Sequence, residues 1–167
     1  MPTLQTISQN VPKAAFAGAG ILQSSEWEYN FAANPTAADI VQCLWLPAGA
    51  KVVGGFIYAT DLDTGTETLD MDLGWAANGG SGTYDAADPD GLGNFGVWNG
   101  DAFASGNLWN IAGQCWILAG ILATGAFPFF TKPTRIQLVV NVTAAATGTG
   151  KVCGTVFYKV DPKLAVG

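Results

Sequence analysis

The chain alternates most clearly in two places. In Glu26-Trp27-Glu28-Tyr29-Asn30-Phe31 aromatic residues take every second position and polar ones lie between, the two-residue period of a strand with one dry face. In Thr68-Leu69-Asp70-Met71-Asp72-Leu73 the same period puts Leu69, Met71 and Leu73 on one side and Thr68, Asp70 and Asp72 on the other. It predicts a strand, here ending at Gly74, whose acidic side points outward to water. Ile40 to Leu46 is almost continuously apolar, and Lys51 to Thr60 is rich in Val, Ile, Phe and Tyr, so both read as strands. Pro47-Ala48-Gly49-Ala50 lies between them. Proline fixes φ and glycine accepts the positive φ of a reversal, which predicts a hairpin. Asp61-Leu62-Asp63-Thr64-Gly65 ends the second strand with side chains that hydrogen-bond their own backbone. Asp39 to Gly74 is therefore read as three strands joined by two tight turns.

Late in the chain, Arg135 to Ala145 and Lys151 to Val160 read as two long strands joined by Ala146-Thr147-Gly148-Thr149-Gly150, a second hairpin that closes the sheet. Between Trp75 and Asp101 turn formers dominate, which predicts a surface excursion with one short helical turn at Asp85 to Asp88. Ile111 to Phe130 carries no charge and approaches the roughly 20 residues of a membrane-crossing helix. Gly113, Gly120, Gly125 and Pro128 punctuate it, Gln114 interrupts it and no basic cluster flanks it, so it reads as two buried strands about a bend. Residues 1–24 show no sustained period and read as an extended arm; residues 25–167 form one domain. The fold class expected is all-β: an antiparallel β-sandwich, jelly-roll-like, with an extended N-terminal arm.

Composition narrows the function. Apolar residues make up 49% of the chain and charged ones 12%, with 22 Gly and 6 Trp, which excludes a disordered chain and points to a surface that largely meets other protein. A formal charge of -6 disfavours direct contact with nucleic acid or an anionic membrane. With no histidine, a serine or cysteine nucleophile lacks its usual base, and nothing near Ser24, Ser25, Ser81 or Ser105 supplies a lysine in its place. Asp61, Asp63, Glu67, Asp70, Asp72, Asp85, Asp88, Asp90 and Asp101 lie in a stretch without a basic residue. Calcium is the sharp reading of that stretch. The Asp61 to Glu67 spacing lacks the glycine and carboxylate set of an EF-hand, so these acids read as a solvated face. Gly79, Gly80 and Gly82 have no following Lys-Ser/Thr and are plain loop. Cys43, Cys115 and Cys153 are far apart in apolar stretches and read as buried free thiols of a protein made in a reducing cytoplasm. No secretion signal is visible. No catalytic, cofactor-binding or metal-binding residue is assigned. Trp75, Tyr84, Trp98 and Trp109 read as core or interface anchors ahead of a sugar-stacking platform.

Three stretches carry a family likeness: Asp39 to Gly55 with its Leu46-Pro47-Ala48-Gly49 turn, Thr64 to Gly74, and Thr134 to Tyr158 with its Thr147-Gly148-Thr149-Gly150 turn. Together the chain resembles small virion structural proteins of tailed bacteriophages, of the capsid decoration or minor head protein kind. The resemblance implies a non-enzymatic jelly-roll or sandwich subunit that decorates or cements the capsid surface. Its partners would be the major capsid protein and further copies of itself, as a trimer. It carries over no functional residue. Residues 1–24 are then expected to reach over an adjoining subunit, and Phe16, Ile21, Leu22, Trp98 and Trp109 are the expected interface residues. The rival reading is a receptor- or glycan-binding module of tail-fibre or head-fibre type, using residues 76–110 as its surface.

Overall fold

The computed structural model describes residues 21–60, 62, 63, 66, 68–93, 127–146, 149–161 and 163 in full, and residues 3–5 and 94–97 by their backbone. Eight strands result: β1 (Thr3–Gln5), β2 (Gln23–Phe31), β3 (Ile40–Leu46), β4 (Ala50–Ala59), β5 (Asp70–Trp75), β6 (Asp88–Val97), β7 (Thr134–Val142) and β8 (Gly150–Val160). They form two sheets, a five-stranded one in the order β1-β3-β7-β5-β6 and a three-stranded one in the order β2-β8-β4. Every pairing is antiparallel except that of β1 along β3. The described residues contain no helix, and the all-β sandwich expected from the pattern is the architecture found.

The pairings nest inside one another. The outermost strands, β2 and β8, pair with Gln23 opposite Tyr158 and Phe31 opposite Gly150. One step in, β3 pairs with β7. Next, β4 meets the segment before β7 through a bridge between Lys51 and Phe129. Innermost, β5 pairs with β6.

This nesting corrects both predicted hairpins. The turn after Leu46 forms as expected, with Gly49 at φ 78° and the Ala50 N–H donating to the Pro47 carbonyl at 3.1 Å. Yet β3 and β4 belong to different sheets, and so do β7 and β8. Each connection turns the chain from one layer to the other across the core. Strands that face each other need the same apolar alternation as strands that lie side by side, so pattern alone does not separate the two.

The core lies between the sheets. Trp27, Phe31, Val52, Ile57, Val152, Val156 and Tyr158 from the smaller sheet meet Val41, Leu44, Leu46, Met71, Leu73, Ile136, Leu138 and Val140 from the larger. Each such side chain contributes about 1.5–3 kcal/mol by leaving water. Trp75 fixes one end of the core, edge-on to Phe130 with ring centres 5.3 Å apart and tied by its indole N–H to the Ala86 carbonyl at 2.8 Å.

Three further expectations change. Asp88–Val97, read as loop, is the edge strand β6, and no helical turn forms at Asp85 to Asp88. Asp72 does lie opposite Leu73's side of the strand, but it is buried and accepts a hydrogen bond from the Asn141 amide. It is enclosed because β5 is an interior strand, flanked by β7 and β6. The bend expected within Ile111 to Phe130 lies outside the described residues except at its end, Phe127 to Phe130, which runs beside β4.

Candidate interaction surface

Two of the acids expected to form a solvated face, Asp85 and Asp63, instead fasten loops, whereas Asp90 is exposed as expected. Asp85, 2% exposed, accepts hydrogen bonds from the Asn78 amide (2.7 Å), the Gly82 N–H (2.7 Å), the Thr131 N–H (3.0 Å) and the Thr131 hydroxyl. Burial alone would push its carboxyl up, but the side chains of Thr131 and Asn78 and the two backbone donors outweigh it and hold it at about 2. Asp63, also buried, takes the N–H groups of Thr68 (2.7 Å), Leu69 (2.9 Å) and Ala146 (3.0 Å). Burial opposes ionisation there too, and these donors prevail, so its carboxyl is lowered. Oxygens occupied in this way make loop staples. Among the described residues no group of three or more metal-ligating side chains gathers.

The surface with a distinct chemistry is the outer face of the three-stranded sheet. Register sets its rows: Glu26 on β2, Thr155 on β8 and Phe56 on β4 stand side by side, and the next outward row is Glu28, Cys153 and Tyr58. Between the rows, Trp27 and Ile57 turn their side chains inward on either side of Gly154. The gap between the rows is a groove of about 520 Å³ that crosses the strands, and these nine residues line it. Its ends differ. The β2 end carries two carboxylates, Glu28 being paired with Lys151 at 2.9 Å. The β4 end is aromatic, with Phe56 44% and Tyr58 42% exposed and Phe56 edge-on to Phe157 at 5.5 Å between ring centres. Cys153 lies midway. Burial, with Glu28 and Glu26 nearby, pushes its thiol up, which makes it a poor nucleophile at neutral pH.

A β-bulge creates the aromatic end. Val52 faces Tyr158 and Gly54 faces Phe157, so Val53 is an extra residue and the inward parity of β4 flips there. Val52 and Ile57 both point inward, and Phe56 and Tyr58 turn out. A strict two-residue count from Val52 would bury both aromatics. The run Val53-Gly54-Gly55 is the one sequence signal of the shift.

Of the residues expected at an interface, Ile21 and Leu22 lead into β2 and are 62% and 56% exposed. Phe16, Trp98 and Trp109 lie outside the described residues. Trp75 is core, with Tyr84 packed beside it. A second exposed aromatic, Trp45 on β3, has the Arg135 guanidinium over its ring at 5.9 Å.

These observations define a two-layer, all-β sandwich with nested strand pairing. No family model matches the chain, and no curated protein matches it. Among solved structures it is similar to a chain in the capsid of Ralstonia phage GP4, at 18% identity and a TM-score of 0.63, over 96% of this chain and 99% of that one. A chain of the cyanophage Pam1 capsid asymmetric unit is similar at 20% identity and a TM-score of 0.52, over 92% and 96%. The fold is thus one found in chains of phage capsids, matched over nearly the whole length on both sides.

Proposed function

We propose that the chain is a non-enzymatic structural protein of a phage virion that sits on the capsid surface and decorates or cements it through subunit contacts. One observation carries the reading: the near end-to-end likeness of fold to a chain in the capsid of Ralstonia phage GP4. Full coverage on both sides means that the shared unit is the whole domain and not a common sheet inside unrelated folds. The chain's own chemistry agrees, because buried Asp63 and Asp85 are occupied as loop staples and the thiol in the accessible groove, Cys153, is pushed up by burial. The nested pairing of β2 with β8, β3 with β7, β4 with the Phe129 segment and β5 with β6 is that of one long hairpin rolled into two layers, which supports the jelly-roll reading.

On this reading the partners are the major capsid protein and other copies of the chain, the latter as a trimer. Binding across neighbouring capsomers would stabilise the shell, because added interface must break before the shell opens. The test is to make heads lacking this chain, add the purified protein, and locate it by electron cryomicroscopy. Many copies at regular positions on the shell, with a raised bursting temperature, are expected. Density confined to the tail, or no binding, overturns the proposal.

A further inference from the structure

A second β-bulge places an anchor on the outer face of the five-stranded sheet. Gln42 faces Gln137 and Leu44 faces Ile136, so Cys43 is an extra residue on β3. Val41 and Leu44 both lie in the core. Trp45, which an unbroken two-residue count from Val41 would bury, turns outward and is 53% exposed. Register sets its neighbours, with Arg135 beside Trp45 and Gln137 beside Gln42. The Arg135 guanidinium lies over the Trp45 ring.

The floor beside this anchor is polar and incomplete. On the far side of Gln137 lies Gly74, and the backbone of Asp88 and Pro89 occupies the place where a β-carbon on Gly74 would project. The Trp45 and Arg135 side chains on one side and this backbone ridge on the other flank Gln137, which is 6% exposed although it points away from the core. Its amide oxygen has no hydrogen-bond partner, and neither has the Nε–H of Arg135. Buried polar atoms without partners are rare in folded domains. Here an acceptor and a donor stand two residues apart on one strand, about 7 Å along it. A group from outside that brings one donor and one acceptor completes both. An acidic residue in an extended segment does so: its carboxylate accepts from the planar guanidinium of Arg135, and a backbone N–H donates to Gln137.

We infer that Trp45, Arg135 and Gln137 are the contact by which the chain grips the shell, and that they receive an acidic residue on an extended segment of the shell protein. This rests on the reading of the chain as a capsid-bound protein and names the contact within it. Trp and Arg are the residue types that dominate binding energy at protein interfaces. Arg135 and Gln137 stand on β7, an interior strand, so a partner reaches them by lying against the face and not by adding a strand at an edge. A formal charge of -6 on every copy disfavours a second copy as the occupant.

The test uses heads lacking this chain, mixed with the full-length protein and sedimented to give a binding curve. Trp45→Ala and Arg135→Gln are each expected to weaken binding by about ten-fold or more, with circular dichroism and melting temperature close to the parent's. Glu26→Gln, on the outer face of the other sheet, is expected to bind as the parent does. Undiminished binding by Trp45→Ala, or an equal loss in Glu26→Gln, overturns the inference. A second measurement does not depend on a loss: p-benzoylphenylalanine is placed at position 45 and the coated heads are irradiated. An adduct with the shell protein, on a peptide that holds Asp or Glu, is expected. An adduct with another copy of the chain, a peptide without an acid, or no adduct refutes the contact. A parent protein that ignores heads removes the virion reading and this contact with it, whereas a parent that binds alongside unimpaired variants removes the contact alone.

Discussion

Asp85→Asn is the sharpest test of how the loop between β5 and β6 is held. The substitution keeps the shape of the side chain but replaces one acceptor oxygen by a donor, so either the Gly82 or the Thr131 N–H faces an amide that cannot accept. A buried donor left without a partner costs about 1–3 kcal/mol, and the remaining bonds lose their charge assistance, so a loss of about 3 kcal/mol at neutral pH is expected. The carboxyl adds a pH signature. Its value falls from an ordinary 3.8 to about 2 in the folded chain. A lowered folded value stabilises above the unfolded value, and the benefit disappears as pH falls through the folded one. Asp85 therefore contributes about 2 kcal/mol above pH 5 that is lost by about pH 2. The asparagine variant has no such contribution to lose. Urea unfolding followed by tryptophan fluorescence at pH 7, 5, 3.5 and 2.5 measures both effects. The stability gap between the two proteins is expected to narrow steadily below about pH 4 and to approach 1 kcal/mol near about pH 2. A gap that stays constant with pH, or an Asp85→Asn protein as stable as the parent at pH 7, refutes the assignment of Asp85 as an ionised staple.

Two other substitutions probe the sheet beneath the groove. A methyl group at Gly154 would sit 2.7 Å from the Trp27 indole nitrogen and 2.8 Å from the Phe56 carbonyl oxygen. Gly154→Ala is therefore expected to destabilise by about 1–3 kcal/mol in thermal melts and to change Trp27 fluorescence, since the backbone contact cannot move aside. Glu28→Gln removes the solvent-screened pair with Lys151 at the surface, and the same melts are expected to show no resolvable change.

Much of the fold was legible because two faces of each strand differ. The period in Glu26 to Phe31 identified β2 and its inward Trp27 and Phe31, and the apolar runs identified β3, β4, β7 and β8. Sheet membership was hidden, since the turn at Pro47 to Gly49 is equally good chemistry for a hairpin and for a crossing between layers. β6 was hidden by its own glycines. Gly91 reads as a turn former, but it is the place where the Trp75 ring packs against the strand, and any β-carbon there would collide with it. The groove's aromatic end was hidden by one extra residue at Val53, which inverts a parity that a sequence reading carries forward unbroken. The Asp85 staple depends on Thr131, 46 residues away in the chain, so no local spacing announces it.

The outermost pair has a consequence for how the protein is made. β8 follows β2 by more than 100 residues in the chain, yet it is the central strand of the smaller sheet, with β2 on one side and β4 on the other. Until Gly150–Val160 has been synthesised, β2 lacks its partner strand, β4 has only the segment around Phe129 beside it, and Trp27 has no Gly154 to lie across. The smaller sheet forms only when segments as far apart in sequence as Phe31 and Gly150 meet, a long-range closure that favours slow folding. A polypeptide cut before Gly150 would lack the strand that joins β2 to β4, and the inner faces of both would stay open to water.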